Sequence, residues 1–407
     1  MARLIFIPDI QEGHLLPTFG LARALANRGH DVHYLGIPHN MALVHKYGFD
    51  YHVIFSHIFT DGYMEEFKKT YQLSSLKKMC HQYVNHLIEE SWTLDKLFEK
   101  IQPDILVTSS FITLGGLILH YWYKIPQLFL TPFIPGEGNT LVNICIEEIL
   151  DLPSHISANI LNFFERTKGL VINNLKEFAA PLEHMSQLIT CPKEFTLPGS
   201  QYPPNFHFIE ASIRKDAITV NTPCPESISI PGEKQVIYAA MGSQTYLFKK
   251  LCKRLFLAIL EIMRSKNPED WHLILSIGSE FEIDDFENIP VNVTMLKWAP
   301  QVDVLKFSSL AITHGGLGTV KECIFFGVPM IVLPLVGDQH WNAKLIECHK
   351  LGVKKDIDNL SVEELESSIS YVLDNDSIQE NMHNMQSIFQ EKENAQLGAG
   401  LIEKLLN

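Results

Sequence analysis

The 407-residue chain has no excess of positive charge, no paired cysteine motif and no long apolar run. Lys and Arg total 33 against 47 Asp and Glu, a formal charge of −14. Nucleic-acid and anionic-membrane binders usually carry a basic face, so the charge argues against those classes while leaving room for a local basic patch. The seven cysteines are scattered and none forms C-x-x-C. That pattern argues against a zinc site and a disulfide framework, and predicts a reducing compartment, the cytoplasm. No uninterrupted apolar stretch reaches about 18 residues, the length that spans a bilayer. The nearest, FITLGGLILHYWYKIPQLFL, is broken by His120, Lys124 and Pro126. At the start, MARLIFIPDIQEGH has too short an apolar run for a secretory signal, with Asp9 and Glu12 where small residues would be needed. Short-period repeats, low-complexity tracts and a G-x-G-x-x-G after the first strand are also missing, which argues against a solenoid and a dinucleotide oxidoreductase.

What is present is alternation. RLIFIPDI reads as a strand, LPTFGLARALANRGH as a helix with Pro17 in its first turn, and DVHYLGIP as a strand. A long amphipathic stretch then precedes DILVTS, and PQLFLTP and GLVINNL read as further strands. After a Pro- and Ser-rich stretch holding one short strand, FHFIEAS, alternation resumes with QVIYAAMGS, a helix over YLFKKLCKRLFLAILEIM, then HLILSIG, VTMLKW, LAITH and MIVLP. Ser361-x-x-Glu364 has the form of a capping box. Strands alternating with helices predict parallel sheets covered on both faces. The expected architecture is α/β: two Rossmann-like domains with parallel sheets facing a central cleft. The boundaries are 1–205, a linker 206–234, a second domain 235–385, and a helix 386–407 returning to the first.

In open α/β sheets ligands bind at the carboxyl ends of the strands. LAITHGGLGTVKECIFFGVPMIVLP is a strand–loop–helix–strand unit with two polar clusters outside a buried strand. Gly315 and Gly316 let the backbone approach a ligand, and the helix start offers unpaired N–H groups to an anion. His314 and Thr319 flank that spot. Taken alone, HGG reads equally well as a tight turn. Glu322, one turn on, can accept hydrogen bonds from adjacent ribose hydroxyls, and Asp338, Gln339 and Asn342 suit a polyhydroxylated ligand. In WAPQ, Trp298 offers a face for a nucleobase, and the amide of Gln301 or the backbone nearby could read the base edge.

These residues carry a resemblance. W-A-P-Q…T-H-G-G…T…E…G-V-P…P…D-Q…N-A, from Trp298 to Ala343, resembles the donor-binding signature of the UDP-glycosyltransferases, and bacterial macrolide- and carotenoid-type natural-product enzymes in particular. The resemblance implies the GT-B fold and an inverting, metal-independent enzyme of secondary metabolism with no bound cofactor. Its donor would be a UDP-sugar, UDP-glucose foremost. It implies Trp298 and Ala299 at uracil, His314, Gly316, Gly318 and Thr319 at the diphosphate, Glu322 at the ribose, and Asp338 and Gln339 at the sugar. Met241–Gln244 resembles the glycine–serine loop that also meets the diphosphate, through Gly242, Ser243 and Gln244. Gly318 departs from the pattern, since the family usually has Asn there.

Gly13-His14-x-x-Pro17 resembles the acceptor-side histidine motif of the same family. An alcohol needs a general base to displace UDP, and imidazole suits that role near neutrality. In many relatives an Asp supports this histidine. Here PDILVTSSF has Ser109 where that Asp is expected, and Asp104 stands at the far end of the strand. Either another carboxylate reaches His14, with Glu12 and Asp9 nearest in sequence, or the acceptor is acidic. The loops HIFTDGYMEEF and TPFIPGEGNT mix aromatics with few charges, which favours a bulky, apolar small-molecule acceptor. Two alternatives share the fold: a catalytically inactive partner of another transferase, and a UDP-sugar 2-epimerase.

Overall fold

The computed structural model describes residues 1–406 except 61, 64–65, 68–72, 90, 137–139, 170, 172–173, 214–233 and 244. The chain folds as two compact units. The first is Met1–Thr190 with Gln201–Ile209 and Gln396–Asn407, and the second is Cys191–Ser200 with Glu210–Ala395.

The first unit is built on seven parallel strands, β1 (Arg3–Ile7), β2 (Asp31–Gly36), β3 (Asp50–Val53), β4 (Ile105–Ser109), β5 (Gln127–Thr131), β6 (Gln187–Ile189) and β7 (Phe206–Phe208). Their order is β3-β2-β1-β4-β5-β6-β7, so the direction of winding reverses between β1 and β4. The second unit has six parallel strands, β8 (Gln235–Ala240), β9 (Trp271–Ser276), β10 (Val293–Leu296), β11 (Leu310–Thr313), β12 (Met330–Val332) and β13 (Gly352–Lys354). Their order is β10-β9-β8-β11-β12-β13, with the reversal between β8 and β11. The central strands are buried on both faces, which is why they read as near-continuous apolar runs. In the second unit the helix Lys249–Ser265 turns Cys252, Leu255, Phe256 and Ile259 onto the sheet, where they join Ile237, Leu273 and Ile312 in one core. Among the described residues no helix is long and apolar enough to cross a membrane.

Several expectations are corrected. The first helix is Glu12–Asn27, so it starts before the expected Leu16 and Pro17 lies inside it rather than in its first turn. Proline has no N–H, so the Gly13 carbonyl lacks its intrahelical donor. His14 consequently stands on the first turn of a helix, not in a loop. GLVINNL does not begin as a strand: Gly169, at φ +64°, ends the helix Ser154–Lys168, and Val171 is exposed. Leu170, Ile172 and Asn173 lie outside the described residues. FHFIEAS supplies β7, which pairs with β6 and so extends the first sheet instead of lying in a linker. Most of that linker, 214–233, lies outside the described residues. At Ser361 the hydroxyl accepts from the Glu364 N–H at 3.1 Å and caps the helix Val362–Asp374.

Candidate active site

Topology puts one cluster of chemistry at each reversal point. In the first unit, β1 ends at Ile7, and Pro8–Gln11 lead into the helix that carries His14. The Asp9 side chain folds back towards that helix start. Its carboxylate lies 3.0 and 2.9 Å from Nδ1 of His14 through its two oxygens. Oδ1 also accepts from the Gln11 N–H at 2.9 Å, and Oδ2 accepts from Ser109 Oγ at 2.7 Å. From the short turn Pro38–Asn40 after β2, Asn40 Nδ2 donates to the Asp9 carbonyl at 3.0 Å. Asp9 is 6% exposed. Burial alone would raise its pKa, but the charge and hydrogen bond of His14, the Gln11 N–H and the Ser109 hydroxyl outweigh that and hold it below the ordinary value. Asp9 is therefore a carboxylate at neutral pH.

The carboxylate in hydrogen-bond contact with His14 is thus Asp9, five residues before it. Ser109 meets Asp9, and its oxygen also accepts from the Phe111 N–H at 3.2 Å. Asp104 is spent at the opposite end of β4, where Oδ2 accepts from the Arg3 N–H at 2.7 Å. The D-x-x-x-x-H spacing across a strand end and a helix start was the available signal, since it lets the chain turn once and face itself. The ring of Phe111 lies on the imidazole of His14, with centroids 4.1 Å apart and planes 5° from parallel. Phe111 is an exposed large apolar side chain, and Phe133 from beyond β5 packs at 5.2 Å from it. Gly13 precedes His14 on the same turn. A methyl group added there would meet nothing within 4 Å.

In the second unit, the loops after β8 and β11 meet through His314. A Cβ at Gly242 would come within 2.5 Å of its ring, and one at Gly316 within 2.6 Å. Gly242 also has φ +73°, which favours glycine. These glycines therefore form the slot that holds the imidazole. Burial pushes the His314 pKa down to about 4, so the ring is neutral at pH 7. It serves there as a hydrogen-bonding group rather than a fixed charge. Gly316 caps the helix Leu317–Phe326, whose first N–H groups, including those of Gly318 and Thr319, have no intrahelical partner. Ser243 is exposed in the β8 loop, and Gln244 lies outside the described residues.

Glu322, 6% exposed, lies on the same helix. The Gln301 amide bridges to it: Nε2 donates to Glu322 Oε2 and, at 3.3 Å, to Thr319 Oγ1, while Oε1 accepts from Tyr238 at 3.0 Å. Gln301, expected to read a base edge, instead commits both ends of its amide to this network and aims Glu322. The Ala299 N–H is committed too, to Ser276 Oγ at 3.2 Å. Trp298 is 39% exposed at the end of β10. Beyond β12, Asp338 is exposed, but Gln339 is buried and its Oε1 accepts from the N–H groups of Leu335 at 2.8 Å and Val336 at 3.0 Å. Gln339 thus closes its own loop through its amide oxygen. Asn342, expected beside Asp338 and Gln339 at a polyhydroxylated ligand, is fully buried. Its Nδ2 donates to the Gly315 carbonyl at 2.9 Å and to Asp338 Oδ2 at 3.0 Å, tying the two polar clusters together across the buried strand.

With this geometry in hand, comparisons with known proteins give a consistent picture. Residues 280–398 match the family model described as UDP-glucoronosyl and UDP-glucosyl transferase. The NDP-glycosyltransferase YjiC of Bacillus subtilis is 24% identical over 401 residues, covering 97% of this chain and 95% of the relative. Two solved structures superpose at a TM-score of 0.75. One is the glycotransferase of kitacinnamycin, 21% identical, covering 100% of this chain and 99% of the other. The second is the calicheamicin glycosyltransferase CalG4, 20% identical, covering 100% and 98%. The fold they share with this chain is GT-B.

Proposed function

The chain belongs to the UDP-glycosyltransferases and is an enzyme of that family, and we propose that it moves a hexose, glucose foremost, from a UDP-sugar to a hydroxyl of a bulky, apolar small molecule. The second unit takes the nucleotide sugar and the first takes the acceptor. The observation that carries the donor half is the slot at the β8–β11 reversal. There a neutral His314, seated by Gly242 and Gly316, stands beside the helix start at Leu317. Hydrogen-bond donors converging without a fixed charge suit a diphosphate that must bind and then leave. Glu322, aimed by Gln301, accepts from ribose hydroxyls, and the exposed indole of Trp298 stacks on uracil. Asp338 and the Gln339 amide meet the sugar.

In the first unit His14 is the general base. Its Nε2 takes the acceptor's hydroxyl proton as the oxygen forms a bond to the anomeric carbon. The bond from that carbon to the UDP oxygen breaks, and its electron pair leaves on the diphosphate. Attack comes from the face opposite UDP, so configuration inverts. The exposed ring of Phe111 beside His14 supports an apolar acceptor body. The inactive-partner reading rested on Ser109 standing where a carboxylate was expected, and the Asp9 contact removes that ground. A 2-epimerase has no use for an acceptor-side histidine. The free thiols of Cys145, Cys191, Cys252, Cys323 and Cys348 fit a reducing, cytoplasmic setting. A screen of hydrophobic alcohols and phenols with UDP-glucose, read by mass, tests the assignment. Use of a thymidine-diphosphate sugar with UDP-glucose inactive would overturn the donor.

Two variants test the donor half separately. Trp298→Ala is expected to weaken UDP binding by ~1–3 kcal/mol, the scale of base stacking. Calorimetry against UDP checks it, and an unchanged Kd would put the base elsewhere. Gly318→Asn is expected to tighten UDP binding. A Cβ at Gly318 meets nothing within 4 Å, and its backbone is helical. One added hydrogen bond to phosphate contributes ~0.5–1.5 kcal/mol, roughly a 2- to 12-fold lower Kd. Weaker binding would mean that the diphosphate does not approach this turn.

A further inference from the structure

We infer that Asp9 carries the positive charge that develops on His14, and that Ser109 is a positioning residue that holds Asp9 and takes no part in the proton's path. This rests on the reading of His14 as the base. A carboxylate has no proton to give, so at 2.9 Å the Nδ1 of His14 must be the donor. That fixes the tautomer with hydrogen on Nδ1 and the lone pair on Nε2, the nitrogen a base needs. When Nε2 gains the acceptor's proton, the imidazolium stands against an ionised group that is 6% exposed and hence little screened by salt.

The carboxylate is held on both sides. Oδ1 is fixed by the Gln11 N–H and Oδ2 by the Ser109 hydroxyl, so neither oxygen can swing away without losing a bond. Asn40 pins the backbone of residue 9. The Ser109 hydroxyl proton is committed to Asp9 at 2.7 Å. The support for the base thus comes from the end of β1, and β4 supplies only the clamp. One consequence is that adding a carboxylate at position 109 should lower activity on alcohols. A carboxylate at 109 would sit within hydrogen-bond reach of the one at Asp9. Two such groups cannot both ionise, so a proton would be retained and the charge facing His14 would fall.

The test combines turnover with a spectroscopic readout on the full chain. Transfer from UDP-glucose to 2-phenylethanol is followed for Asp9→Asn, Ser109→Ala, Ser109→Asp, Asp9→Ser and the exchange Asp9→Ser with Ser109→Asp. The 15N signals of His14, assigned by difference from His14→Gln, report tautomer and titration in each. Asp9→Asn is expected to lose about 100-fold or more in kcat, with the acid limb of kcat/KM moved to lower pH and the Nδ1–H tautomer no longer dominant. Ser109→Ala should lose about tenfold or less, and Ser109→Asp should lose more than Ser109→Ala. The exchange should recover about tenfold or more over Asp9→Ser, because the short serine leaves room for the aspartate opposite. UDP affinity should stay within about threefold throughout, which separates these effects from misfolding. Asp9→Asn within about threefold of wild type in kcat, or an unchanged His14 tautomer and titration in that variant, would overturn the inference. If wild type transfers glucose while His14→Gln does so equally well, the reading of His14 as base fails instead. The nitrogen spectra then still decide whether Asp9 fixes the imidazole.

Discussion

His14→Ala is expected to lower turnover from UDP-glucose to an alkyl alcohol by about 100-fold or more while leaving UDP affinity unchanged. The expectation follows from chemistry rather than position alone. An alkyl hydroxyl is far too weak an acid to ionise at neutral pH, so its oxygen attacks only if a base takes the proton in the transition state. His14 is held by Asp9 through Nδ1, on the first turn of the helix that opens the β1–β4 reversal point. A phenolic acceptor should lose less, because its oxygen ionises more readily. Comparing an alkyl alcohol with a phenol in the same variant therefore separates loss of a base from general damage. Steady-state kinetics with both acceptors are the check, and equal losses on both would point to a structural role.

His314→Ala is expected to act on the donor instead, weakening UDP by about 1.5–3 kcal/mol, roughly 10- to 150-fold in Kd, the range for a hydrogen bond to a charged group. Gly242→Ala should act in the same direction for a different reason. Its Cβ would drive into the imidazole at 2.5 Å on a backbone at φ +73°, displacing His314 from its slot. A pH series adds a second readout. The free protein holds His314 down at about 4 against an ordinary 6.5. A bound diphosphate favours the protonated ring and raises that value. Wild-type UDP affinity should therefore rise as pH falls from neutrality towards 4, beyond any rise that His314→Ala retains. The stability effect has its own sign. A histidine whose folded pKa is depressed binds protons more readily unfolded, so its contribution is full above about 6.5 and is lost as pH falls towards 4. Wild type should lose thermal stability across that window more steeply than His314→Gln. A flat difference would mean that the imidazole is not held neutral.

The alternation of strands and helices was legible because buried parallel strands are apolar on both faces, as in RLIFI and QVIYAA. Some of the shortest strands were not. Asp50–Val53, Gln187–Ile189 and Gly352–Lys354 are too brief to show a period, and they are strands because a neighbouring strand offers them a ladder. The start of the first helix was misread because Pro17 resembles a first-turn proline, whereas tertiary packing lets the helix begin at Glu12. At the donor side, the spaced pattern from Trp298 to Ala343 carried the reading, since HGG taken alone reads equally well as a tight turn. What the sequence hid was how amides are spent. Gln301, Gln339 and Ala299 look like ligand contacts in one dimension, yet each satisfies a group of the protein itself. Asp9 was open to the sequence only as one of two neighbouring carboxylates, with Glu12, and the turn between strand and helix is what selects it as the partner of His14.

The most direct measurement counts two products at once. UDP-glucose and a hydrophobic alcohol are incubated with wild type and with His14→Ala, and UDP and the glucoside are quantified with the anomeric configuration assigned by proton NMR. UDP and glucoside are expected in equal amounts from wild type, with configuration inverted, and a yield from His14→Ala lower by about 100-fold or more at matched UDP occupancy. UDP release without glucoside, retained configuration, or near-full activity in His14→Ala would contradict this.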